Sequence, residues 1–129
     1  MSGEELARRA VACPGWRWLP GMRYQLINER GQIGGWMRAS DRTAHLDALD
    51  ARDDTNEVAL PDLDDPATLG CLLALVREAW GDPSASPRLE AGWWRVYVSS
   101  YPGIAGGGAT ESEALVAALE AAPRREVGV

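Results

Sequence analysis

Residues 93–100 read W-W-R-V-Y-V-S-S, and this stretch decides the fold class. Its aromatic and β-branched side chains predict a β-strand. Alternation places Trp94, Val96 and Val98 on one face. The opposite face carries Trp93, Arg95 and Tyr97. Because both faces carry bulky groups, we expect a sheet that is covered on at least part of each side.

Helices are predicted on either side of this strand. Asp65 supplies an N-cap and Pro66 a first helical residue, so the apolar run that follows predicts a helix up to Gly81. Apolar residues occupy almost every side of this helix, and we therefore expect it to be buried or to face a partner subunit. A T-x-x-E capping box at Thr110 and Glu113 begins an amphipathic helix that should cover the core from one side.

The first half of the chain predicts a helix and a hairpin. Ser2 and Glu5 form an S-x-x-E capping box, which begins a short surface helix. Residues 23–28 and 32–39 are predicted strands of a hairpin around the turn residues Glu29, Arg30 and Gly31. Residues 41–51 carry apolar positions at helical spacing and are assigned to a short helix.

These elements predict an α+β fold. The order is α-β-β-(α)-α-β-α, with a mainly antiparallel sheet of about three to four strands packed between helical layers. Residues 1–129 are expected to form a single domain, which matches the length of the chain. Within it, residues 82–92 are rich in Pro, Ser and Ala and predict a loop, and residues 124–129 predict a flexible tail.

The composition favours binding over catalysis. The chain contains six Trp, three Tyr and no Phe, and Arg supplies all thirteen of its basic residues. Trp and Arg present wide planar faces and fixed donors, and both are enriched where binding energy is concentrated. The alternative is that Trp serves as the large core residue because Phe is absent. No Ser, Cys or His context predicts an enzyme, and the single histidine, His45, is better explained as a solvated surface residue.

Charge and cysteine usage restrict the partners and the compartment. The net charge is −6, and residues 41–65 carry nine acids against Arg42 and Arg52, which gives −7 for that stretch. This excess disfavours non-specific binding to nucleic acid, whose phosphates need clustered cations. The acidic stretch is either a solvated surface or a decoy for a basic site on another protein. No metal or cofactor motif is found, Cys13 and Cys71 lie far apart, and no apolar run is long enough for a membrane span, so we expect a cytoplasmic protein.

The candidate site combines aromatic rings with guanidinium groups, a pairing that stacks a base and neutralises a phosphate. Its predicted residues are Trp16, Arg17, Trp18, Trp36, Arg38, Trp93, Arg95 and Tyr97. A second possibility is a phosphate contact at Gly106, Gly107 and Gly108, because backbone N–H groups at a helix start attract anions. The alternative there is a flexible turn between a strand and a helix.

Three segments of the chain resemble small phage and prophage proteins with an ABA sandwich domain. They are A-C-P-G-W-R-W-L-P-G-M at 12–22, L-P-D-L-D-D-P-A-T-L-G-C-L-L-A-L-V-R-E-A-W-G at 60–81 and G-A-T-E-S-E-A-L-V-A-A-L-E-A-A-P at 108–123. The resemblance implies a sheet between helical layers and a mobile-element origin. It implies no activity and no catalytic residues.

Two functions are expected from these observations. The first is a phage-encoded, non-enzymatic binding protein that sequesters a small anionic nucleotide signal as a counter-defence sponge, acting as a homo-oligomer in the host cytoplasm. The second is an acidic protein–protein inhibitor or phage accessory factor that acts on a host protein. A nucleotide should raise the melting temperature in the first case, because a ligand that binds only the folded state stabilises it.

Overall fold

The computed structural model describes residues 3–27, 35–40, 58–99 and 104–123. Several sequence-based predictions lie outside these residues. They are Ser2 of the first capping box, the hairpin turn at 29–31, the helix at 41–51 with His45, the first six acids of the acidic stretch, and the tail at 124–129.

The described part of the chain contains three helices and six strands. The helices are α1 (Gly3–Val11), α2 (Pro66–Trp80) and α3 (Glu111–Ala121). The strands are β1 (Arg23–Ile27), β2 (Met37–Arg38), β3 (Val58–Pro61), β4 (Ser86–Glu90), β5 (Trp93–Tyr97) and β6 (Ile104–Gly108). The chain divides into two compact units, Met1–Val11 with Arg17–Cys71 and Ala12–Trp16 with Leu72–Val129. Because the boundary falls inside α2, this helix contributes residues to both units.

The first unit is built on an antiparallel sheet in the order β2-β1-β3. Tyr24 and Ile27 of β1 are buried, and α1 packs against β3. The apolar residues that are buried in this unit are Leu6, Ala7, Ala10, Trp18, Met22, Tyr24, Ile27, Ala39, Ala59, Leu60 and Leu63. Asp65 caps α2 as predicted, because its carboxylate accepts the backbone N–H of Thr68 at 3.0 Å.

The second unit is built on an antiparallel sheet in the order β4-β5-β6, with α3 packed on one face. Thr110 is the N-cap of α3 and accepts the backbone N–H of Glu113 at 3.2 Å. The Glu113 carboxylate accepts the N–H of Ala109 in return, which completes the predicted capping box one residue earlier than expected. The buried apolar residues here include Leu72, Leu75, Val76, Val96, Ala105, Ala114, Leu115, Val116, Ala118 and Leu119.

The predicted α+β class is confirmed, since helices and antiparallel strands are interleaved along the chain. The strands form two sheets of three rather than one sheet of three to four. The hairpin of β1 and β2 is confirmed where it is described, with Arg23 opposite Arg38 and Tyr24 opposite Met37. None of the described helices is both long enough and apolar enough to cross a membrane.

The prediction of a loop at 82–92 was wrong, because β4 lies within it and pairs with β5 along its whole length. Pro87 is part of the Pro, Ser and Ala content that predicted a loop, since a proline argues against a central strand. β4 is an edge strand, however, and Pro87 is opposite Val96 in a non-hydrogen-bonded pair, so its missing N–H removes no ladder hydrogen bond. Ala91 and Gly92 connect the two strands with positive φ angles of 52° and 77°, as a two-residue type I′ turn requires.

Candidate functional site

The eight ring and guanidinium residues of the sequence-based site belong to two different units, so each unit is described separately. Trp18 lies in the core of the first unit, where it is 2% exposed. Its ring meets the Tyr24 ring edge-to-face with the centroids 5.6 Å apart. Arg17 is exposed, whereas Trp16, in the second unit, is half-buried. Trp18 therefore acts as core filler, the alternative that the sequence had left open.

Two arginines of the first unit lie opposite each other and are both neutralised. Arg23 of β1 is the register partner of Arg38 of β2. Arg38 binds Asp65 through two hydrogen bonds of 2.7 and 3.2 Å. Arg23 binds Asp62 at 3.3 Å, and its guanidinium carbon lies 4.8 Å from the centroid of the Trp36 ring.

The two acids that serve this pair have structural roles. Hydrogen bonding from Arg38, followed by contacts from Thr68, lowers the pKa of Asp65 to about 2. The hydroxyl of Thr68 also accepts the backbone N–H of Arg23 at 2.8 Å, which ties the start of α2 to β1. Asp62 and Asp65 are thus committed to holding the first sheet, and the decoy interpretation depends on residues 41–57, which lie outside the described part of the chain.

The second unit brings together the predicted residues of β5. Trp93, Arg95 and Tyr97 alternate along the strand and share one face, as the sequence predicts. The opposite face carries Val96, which is fully buried on the side where α3 packs. Trp93 is 47% exposed, and Arg95 and Tyr97 are half-buried. We call the face with these three residues the outer face of the second sheet.

Two residues of β4 join the outer face, and sequence reasoning missed both. Arg88 is the register partner of Arg95, and Glu90 is the register partner of Trp93. Since directly paired residues of antiparallel strands point to the same side, Arg88 and Glu90 belong to the same face. The alternation in S-P-R-L-E before the Ala91–Gly92 turn was the available signal, but the assignment of a loop concealed it.

The arginines of the outer face have no carboxylate partner among the residues that the structure describes. Neither Arg88 nor Arg95 forms an ion pair there. The guanidinium carbon of Arg88 lies 5.2 Å from the centroid of the Tyr97 ring. The Tyr97 hydroxyl donates a hydrogen bond to Glu90, so this carboxylate of the outer face is engaged by a neutral group. Like charges that face each other across two strands destabilise the sheet, and an anion between them would remove that cost.

Trp93 is the exposed ring of this face. The Nε1 atom of its indole lies 2.8 Å from the position that a Cβ on Gly107 would occupy. The glycine of β6 therefore leaves the space in which the indole rests. Along β5, the Cα atoms of Trp93 and Arg95 are two residues and about 7 Å apart. The outer face thus offers an aromatic surface beside two positive charges.

The glycine segment is organised around helix packing. A Cβ on Gly106 would lie 2.4 Å from the backbone nitrogen of Ala118, and one on Gly108 would lie 2.5 Å from the Cβ of Glu113. These glycines lie in β6 rather than in a flexible turn, and they allow α3 to approach the strand closely. The Glu113 carboxylate already lies at the start of α3. The geometry favours packing, and a phosphate contact at Gly106, Gly107 and Gly108 stays a prediction.

Other chemistry is limited on the described residues. No group of three or more His, Cys, Asp or Glu side chains there could hold a metal ion. Cys71 is half-buried, and burial raises the pKa of its thiol, which makes the reactive thiolate scarcer. Asp82 is buried, and hydrogen bonds from Ser84 and Ser99 lower its pKa to about 2. The outer face of the second sheet is therefore the strongest candidate. No family model, curated protein or solved structure matches the chain.

Proposed function

We propose that the protein binds a small anionic nucleotide on the outer face of the second sheet. The Arg88–Arg95 pair supports this proposal most directly, because two arginines at directly paired positions lack an ion-pair partner among the described residues. Guanidinium forks bind phosphate through paired, charge-assisted hydrogen bonds. An anion between them would satisfy both side chains at once.

The first sheet provides an internal comparison for this argument. Arg23 and Arg38 also face each other across two strands, but Asp62 and Asp65 neutralise them. The same arrangement thus occurs twice, once in ion pairs with carboxylates of the chain and once without an ion pair to any described carboxylate. The second pair has the composition of a site whose counter-charge comes from a ligand.

Trp93 provides the surface on which the aromatic base of the proposed ligand stacks. A half-exposed indole next to a cationic pair can stack a nucleobase, and such stacking contributes about 1–3 kcal/mol for each base. In this proposal the protein sequesters the nucleotide in the host cytoplasm without breaking a bond. The phage resemblance supports a counter-defence role, in which the captured nucleotide is an immune signal of the host.

Assembly as a homo-oligomer is a further part of the proposal. Leu89 of the edge strand β4 is 57% exposed and Ile104 of β6 is 42% exposed, so both edges of the second sheet present apolar side chains. Native mass spectrometry of the full chain tests this part independently of ligand binding.

Isothermal titration calorimetry with linear and cyclic nucleotides tests the proposed function. We expect at least one nucleotide to bind, and we expect Trp93→Leu to weaken its binding about tenfold. Trp36→Leu is the matched control, because Trp36 is 45% exposed and stacks on an arginine whose charge Asp62 neutralises. Absence of binding across the panel, or an equal loss in both variants, would contradict the proposal.

A further inference from the structure

We infer that the ligand of the outer face is a nucleoside monophosphate with a terminal phosphate, rather than a cyclic or internal phosphodiester. This inference rests on the proposed function and specifies the chemical class of its ligand. It follows from the number of charges and the number of exposed rings on the face.

The charges favour a dianion. Arg88 and Arg95 supply two positive charges at directly paired positions, and neither is engaged by a described carboxylate. A phosphomonoester carries about −1.5 to −2 at pH 7 and presents three terminal oxygens. A phosphodiester carries a single negative charge and has two free oxygens, so it leaves one guanidinium without full compensation.

The rings favour a ligand with one base. Trp93 is the exposed ring of the face, and Gly107 leaves its indole room. Tyr97 is half-buried, has Arg88 over its ring, and donates a hydrogen bond from its hydroxyl to Glu90. Tyr97 is thus already engaged within the chain, whereas a dinucleotide needs a second open ring for its second base.

The spacing is compatible with one nucleotide. The Cα atoms of Trp93 and Arg95 are separated by about 7 Å along the strand, a distance that one ribose between base and phosphate can span. In this proposal a base stacks on Trp93 and its 5′-phosphate binds the Arg88–Arg95 pair. The Glu90 carboxylate lies on the same face and accepts a hydrogen bond from the Tyr97 hydroxyl.

Calorimetry with four probes on the full chain tests this inference: 5′-AMP, 3′,5′-cyclic AMP, adenosine and inorganic phosphate. The first two share base and sugar and differ in the charge and freedom of the phosphate. We expect 5′-AMP to bind about tenfold or more tightly than cyclic AMP, and adenosine and inorganic phosphate to bind more weakly than 5′-AMP. Arg95→Gln and Arg88→Gln should each bring the affinities for 5′-AMP and cyclic AMP closer together.

The outcomes separate the inference from the function on which it rests. Equal or tighter binding of cyclic AMP would overturn the inference and leave nucleotide binding in place. Inorganic phosphate that binds as tightly as 5′-AMP would overturn the role of the base. Failure of both nucleotides, together with failure of the wider panel, would instead remove the proposed function. Comparison of the wild-type affinities needs no variant, so it does not depend on whether a substitution disturbs folding.

Discussion

The indole of Trp93 rests against Gly107 of the neighbouring strand, with its Nε1 atom 2.8 Å from where a Cβ on that glycine would stand. Gly107→Ala should therefore displace the indole, because atoms cannot approach so closely. The obstacle is the end of a side chain, so we expect the melting temperature to change little. We expect nucleotide affinity to fall severalfold in calorimetry. An unchanged affinity in Gly107→Ala, alongside a large loss in Trp93→Leu, would show that the position of the indole does not matter.

Gly106 gives the opposite expectation, although it is the next residue along the chain. A Cβ there would lie 2.4 Å from the Ala118 nitrogen and 2.6 Å from the Ala114 oxygen, and both atoms belong to the backbone of α3. Because the helix itself must move, Gly106→Ala should lower the free energy of unfolding by about 1–3 kcal/mol. Chemical denaturation measures this loss. Gly107→Ala is the matched control, and similar stabilities for the two variants would contradict the role assigned to Gly106.

Local chemistry predicted the three helices that the structure describes, whereas the strands depend on their pairing partners. Asp65 and Thr110 cap helices as their sequence contexts predict, since a cap depends on residues three positions away. β3 and β6 were missed because V-A-L-P is short and I-A-G-G-G has low strand propensity. These two strands form through their antiparallel partners β1 and β5, which a local pattern cannot reveal.

In the candidate site, too, local patterns predicted some residues and strand pairing determined the others. Alternation alone placed Trp93, Arg95 and Tyr97 on one face, because the period of a strand is local. Arg88 and Glu90 join them only through the register of β4 with β5. Nothing in the sequence distinguished Trp18, which is buried, from the exposed Trp93, because that difference arises from packing.

Asp82 predicts how stability depends on pH in the second unit. Its carboxylate accepts hydrogen bonds from the backbone N–H and the hydroxyl of both Ser84 and Ser99. These bonds lower its pKa from the ordinary 3.8 to about 2, so its contribution to stability is complete above about pH 4 and is lost as the pH falls towards 2. Asp82→Asn should lower the melting temperature by several degrees at pH 7.

Melting curves of wild type and Asp82→Asn between pH 7 and pH 2 test whether the contribution of Asp82 to stability is lost as the pH falls. The difference between the two melting temperatures should narrow below about pH 4, because Asp82 of the unfolded wild type then binds a proton while folded Asp82 is protonated only near pH 2. Asp64→Asn is the charge-matched control on an exposed carboxylate and should change the melting temperature little at pH 7. A difference that persists unchanged to pH 2 would mean that the hydrogen bonds to Asp82 do not depend on its charge.

The two facing arginine pairs predict opposite effects of one substitution on the ligand-free protein. Arg95→Gln removes repulsion from Arg88, so stability should stay constant or rise by less than about 1 kcal/mol. Arg38→Gln removes the partner that lowers the pKa of Asp65, and it should lower the melting temperature. Salt should reduce both effects, because it screens exposed charges.

Saturating nucleotide should stabilise wild type more than Arg95→Gln, so that wild type then has the higher melting temperature of the two. If Arg95→Gln lowered the melting temperature as much as Arg38→Gln in the absence of ligand, Arg95 would have a structural role and the proposed role in anion binding would be contradicted.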